Sequence, residues 1–159
     1  MFHITESEAT IQHTIGTGIV YHGVGPFDGR SVVVKIRAGE PDTGLRFVRT
    51  DVAHEHSVIR ADWQNFVDAR FGTMLGNKHG VTVTYAEHVL TPLHQAGILN
   101  AVIEVDGPEV PRPDGGYASL RVLIERAGIV VQDAPLPGIW VEYPAETSRV
   151  GHTPPAELT

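Results

Sequence analysis

The sequence contains no cysteine. That excludes disulfides, thiolate nucleophiles and every cysteine-based zinc motif, so any metal ion must be held by histidine and carboxylate side chains. Long apolar runs are missing too: stretches such as Ile15–Tyr21 and Ile98–Val105 fall far short of the roughly 20 residues that cross a bilayer. Positive charge is scarce. Against 19 Asp and Glu stand 12 Lys and Arg, a formal charge of -7 that would repel a phosphate backbone, and no element gathers a basic cluster. Neither nucleic acid nor a membrane span is therefore expected. The N-terminal Met-Phe-His-Ile-Thr-Glu-Ser-Glu carries acid where a signal peptide needs positive charge and then an apolar segment, so a cytoplasmic setting is expected. There is no Gly-x-Ser-x-Gly nucleophile elbow and no Walker-type loop. The pairs Gly16-x-Gly18 and Gly23-x-Gly25 lack the third glycine of a phosphate-binding loop, Tyr21 and Asp28 standing there, and read as bends or turns.

What is present suffices for one core: 159 residues, 42% of them hydrophobic. Runs rich in β-branched residues, bounded by Gly, Pro and Asp, predict strands at Ile11–His22, Ser31–Arg37, Leu45–Arg49, Val81–Tyr85, Leu99–Val105 and Ile139–Tyr143. In Leu99, Ala101, Ile103 and Val105 the apolar side chains recur every second residue, which predicts one buried sheet face, with Asn100 and Glu104 pointing the other way. Helical spacing appears twice, in Ala86, Val89, Leu90 and Leu93 and in Leu120, Leu123, Ile124 and Ala127, with Gly97 and Gly128 as stops. Pro92 predicts a kink or a short first helix, because it has no N–H for the carbonyl of His88. Strands with two helices covering one face give an α+β two-layer sandwich on a mixed, mostly antiparallel sheet. The domain is expected to fill residues 1–146, with 147–159, poor in large apolar residues, as a flexible tail.

Among the histidines, His54 and His56 would project from one face of a strand, but Asp-Val-Ala-His-Glu-His offers no third ligand nearby, so a solvated loop is expected. Val58 also stands where the helical zinc motif His-Glu-x-x-His needs its second His. His79 and His94, as single histidines, are expected at the surface. Glu87-His88 reads at this level as a helix start, with the carboxylate favoured in the first turn by the helix dipole.

Several stretches occur in a specific order: Gly23-Val24-Gly25, Pro41-Asp42-Thr43-Gly44, Phe47-Val48-Arg49-Thr50-Asp51, Gly80-Val81 and Tyr85-Ala86-Glu87-His88. They continue through Ala96-Gly97-Ile98-Leu99-Asn100, Ile103-Glu104-Val105-Asp106-Gly107-Pro108-Glu109-Val110-Pro111, Asp114-Gly115 and Ala127-Gly128-Ile129. Together this ordered set resembles the N-terminal domain of the UDP-3-O-acyl-N-acetylglucosamine deacetylases, the zinc hydrolases of lipid A biosynthesis. The resemblance implies that domain's fold, His88 as a zinc (Zn2+) ligand, Glu87 as general base and an acylated nucleotide sugar as substrate. It implies further ligands as well, two His and an Asp, the first His being followed by Lys and, four residues along, by that Asp. None of the nine histidines fits that pattern. A second subunit, or a homodimer partner, is therefore expected to complete the site; the alternative is a non-catalytic binding or regulatory module. At Gly25-Pro26-Phe27-Asp28 the sequence also departs from the family, which commonly has His after this turn.

Overall fold

A computed structural model describes residues 11–112 and 116–136. Its main sheet contains β2 (Ile19–Val24), β3 (Ser31–Ala38), β4 (Leu45–Arg49), β5 (Val58–Arg60) and β9 (Ala101–Val105), ordered β2-β3-β9-β4-β5. A ribbon pairs β1 (Ile11–Ile15) with β10 (Ile129–Pro135), and a small sheet joins β6 (Phe66–Asp68), β7 (Met74–Gly76) and β8 (Thr82–Val83). Every pairing is antiparallel except β4 with β9, where Phe47 lies beside Ile103. The architecture is the expected α+β one. Alternation places the strands: in β3, Val32, Val34 and Ile36 are buried while Lys35 and Arg37 are exposed.

The helices α1 (Glu87–Gln95) and α2 (Ala118–Ala127) cover one side of this sheet. Val89, Leu93, Leu120 and Ile124 form their buried stripes and join Phe47 and Ile103 in one apolar cluster. Each such side chain, once fully buried, contributes about 2 kcal/mol. Pro92 lies inside α1 without ending it. Its ring is buried, and that burial offsets the hydrogen bond denied to the His88 carbonyl. The helix stops at Gly97, whose N–H donates to the His94 carbonyl at 2.9 Å while that of Ile98 donates to Leu93 at 3.0 Å. This is the Schellman closure that a left-handed residue permits.

Three expectations need revision. The run Ile11–His22 is two strands broken at Gly16–Gly18, and β5, β6, β7 and β10 have no counterpart among the predicted strands. Strand β9 is not buried on one face only: Val102, outside the apolar cluster that Ala101, Ile103 and Val105 join, is also buried, with Arg37 and Arg46 as its neighbours on β3 and β4. Asn100 just before it is buried too, at 1% exposure. Its Nδ2 donates to Oε1 of Gln12 and of Gln132, both at 2.7 Å, and its Oδ1 accepts from the Gly44 N–H at 2.8 Å. These amides stitch the β1–β10 ribbon to the main sheet. The predicted strand Ile139–Tyr143 and the tail 147–159 lie outside the described residues.

Candidate functional site

The chain leaves β8 through Thr84 and turns at Tyr85, which takes φ 61°, before α1 begins at Glu87. A left-handed tyrosine costs roughly 1–2 kcal/mol. The ring contacts that hold it offset this: Phe27 stacks on one side with centroids 5.8 Å apart, and the Arg112 guanidinium lies 5.5 Å from the ring centre. Phe27 itself sits on the turn after β2, where the buried Glu109 carboxylate accepts its N–H at 2.8 Å.

Glu87 opens the first turn of α1, as a helix-start reading requires, yet it does more than complement the dipole. Its Oε2 accepts the N–H of Thr73 at 2.8 Å, which pins the carboxylate against the loop before β7. Gly72, at φ 120°, makes this approach feasible: a Cβ there would lie 2.7 Å from the Tyr85 ring and 3.0 Å from Glu87 Oε1. That Oε1 stands 4.0 Å from His88 Nε2, too far for a hydrogen bond but close enough for the two groups to face one small ion or water.

The His88 side chain is 11% exposed and Glu87 33%. The imidazole lines a cleft of about 250 Å³ between β2 and α2, walled by Tyr21, Leu120 and Leu123. The rings of Tyr85 and Tyr117 flank it at 6.0 and 5.9 Å between centroids. It is therefore neither sunk in the apolar core nor turned away from a cavity. Burial pushes the Tyr21 hydroxyl's pKa up, so Tyr21 stays protonated.

The other histidines do not converge on this place. His54 and His56 form an exposed 3-10 turn, in keeping with the loop reading, and the His56 ring packs 4.3 Å from His79. His94 is exposed in the last turn of α1, about two-thirds of a turn around the axis from His88. Among the described residues no three or more His, Asp or Glu are grouped so as to hold a metal ion. The aromatic surround of Tyr21, Phe27, Tyr85 and Tyr117 was not singled out as site-forming in the sequence. Its one signal was the Phe27 departure noted above.

A family model described as UDP-3-O-acyl N-acetylglycosamine deacetylase matches residues 12–154. A UDP-3-O-acyl-N-acetylglucosamine deacetylase of Phenylobacterium zucineum is 38% identical over 135 residues, which cover 85% of this chain and 46% of the relative. Proteins of the same name from Citrifermentans bemidjiense and Syntrophotalea carbinolica are 36% and 38% identical over 76% and 77% of the chain, each matched over 39% of its own length. The chain thus spans less than half of these curated relatives. With the ordered motifs in place and the match running over nearly all of its residues, this chain belongs to the UDP-3-O-acyl-N-acetylglucosamine deacetylase family.

Proposed function

We propose that the chain takes part in zinc-dependent removal of the acetyl group from an acylated nucleotide sugar of the lipid A pathway, in the cytoplasm, with Glu87 as general base and His88 as one zinc ligand. The observation that carries this reading is the Glu87–His88 pair, carboxylate and imidazole 4.0 Å apart, with the imidazole lining a cleft. The donor chemistry fits zinc in part. A neutral imidazole is a good zinc ligand, but a catalytic site needs about three protein ligands, and the described residues bring no three such side chains together. A second polypeptide, or a second copy, supplies the rest.

When bound, zinc supplies the Lewis acidity that lets water react near neutral pH. The chain's own residues do the remainder. Thr73 fixes one oxygen of Glu87, leaving Oε1 on the His88 side to accept the proton of the attacking water. The walls Tyr21, Leu120 and Leu123 give the imidazole a mostly apolar surround, and the Tyr85–Phe27 stack braces the turn that leads into α1.

The second reading, a non-catalytic module derived from the family, is favoured by the missing ligand cluster among the described residues. Metal content and acetate release, measured with co-encoded polypeptides added, separate the two. The hydrolase reading expects stoichiometric zinc that His88→Ala removes. It also expects Glu87→Gln to keep the zinc and lose about 100-fold or more in rate. Absence of both zinc and acetate release in every mixture leaves only the module.

A further inference from the structure

The two edges of the five-stranded sheet are finished differently. At one edge, β5 is three residues long and carries Arg60. Its carbonyls are covered: Asn77 Nδ2 donates to Val58 at 2.9 Å and Asn65 Nδ2 to Arg60 at 3.0 Å. This is the usual protection of an edge against pairing with another chain. The opposite edge, β2, has none of it among the described residues. It is six residues long, Ile-Val-Tyr-His-Gly-Val, pairs with β3 in unbroken register, and carries no Pro and no Asp, Glu, Lys or Arg. Val20 and Val24 are 62% and 59% exposed.

The ladder fixes which groups are bare. The Gly25 N–H donates to the Arg30 carbonyl, so by antiparallel alternation the odd-numbered residues of β2 bond to β3. The N–H and C=O groups of Val20, His22 and Val24 then point away from the sheet, and among the described residues no strand pairs with them.

We infer that β2 pairs antiparallel with β2 of a second copy, joining two five-stranded sheets across a twofold axis. Charge permits this on a chain of -7: no acidic residue lies between Glu8 and Asp28, and Lys35 is the β3 neighbour of Val20. The pattern of outward groups also sets the register. Val20 bonds to Val24 of the partner copy, and His22 meets its own counterpart on the axis. Because Val20, Tyr21 and His22 line the His88 cleft, the incoming strand rims that cleft in both copies. This pairing goes beyond the hydrolase reading and stands on the edge alone.

In an antiparallel hydrogen-bonded pair the Cα atoms are about 5.5 Å apart, within the roughly 4.4–6.8 Å that a disulfide spans. In a cysteine-free chain, His22→Cys therefore provides the sole thiol at the axis. Light scattering of the full chain is expected to give twice 17.2 kDa, and Val20→Lys with Val24→Lys a return to 17.2 kDa with the thermal melt retained. Mild oxidation is expected to cross-link His22→Cys and to leave Phe27→Cys, an exposed control, uncross-linked. A chain that stays at 17.2 kDa at every concentration, or a dimer that His22→Cys does not cross-link, overturns the pairing. Should the lysine pair fail to fold, the cross-link alone decides. A monomer that still releases acetate with another polypeptide would sink this inference and leave the hydrolase reading intact.

Discussion

Arg49 shows how a single side chain ties distant segments together. It is buried, its Nε and Nη2 each donate to the Asp51 carboxylate at 2.8 Å, and its Nη1 donates to the carbonyl of Thr82. The hydrogen bond from Arg49 holds the Asp51 carboxyl below its usual range, against some desolvation. A carboxylate with a lowered folded-state pKa contributes stability above its unfolded value, near 3.8, and loses it as pH falls through the folded value. Arg49→Met should therefore lower unfolding free energy by about 2 kcal/mol at neutral pH, with the deficit shrinking in acid; urea titrations at a series of pH values measure this. At this scale the sequence was only partly legible. Glu87 and His88 were proposed through the family resemblance, but the left-handed Tyr85 and its rings were not singled out, because such contacts depend on loops that meet only after folding.

Among the elements, the helices were the most legible, since a stripe at helical spacing and a terminal glycine are local signals. Gly97 carries the closure of α1 at φ 74°, with open space where a Cβ would project. Gly97→Ala should thus cost about 1 kcal/mol through backbone strain alone. Gly18→Ala, at an ordinary φ with an ordinary 3.5 Å contact, is the matched control that should cost less. Paired thermal melts give the comparison. Short strands were the least legible: β5, β6 and β7 have three residues each, too few for alternation to register. Ile129–Pro135 was not among the predicted strands, because Gln132 and Asp133 interrupt its apolar run, yet Gln132 is turned inward to Asn100.

For the whole molecule, what unites ribbon and sheet is a cluster of amides, invisible to any hydrophobic pattern because its members are far apart in sequence. Gln12 is 88 residues from Asn100, and Gln132 is 32. Asn100→Ala strands the partners Gln12, Gln132 and the Gly44 N–H at a buried junction. A loss of about 3 kcal/mol is expected, with hydrogen exchange rising selectively in β1 and β10. The layer architecture was legible because it needs only faces and counts; the seam between its sheets was not, because it needs partners.

The strand order has a bearing on synthesis. β9, the middle strand of five, is the last of them to leave the ribosome. Until residue 105 has emerged, β2–β3 and β4–β5 are separate hairpins, each showing the inner margin that β9 will occupy. The nascent chain thus passes through a sticky, half-assembled stage whose length is set by the 51 residues between β4 and β9.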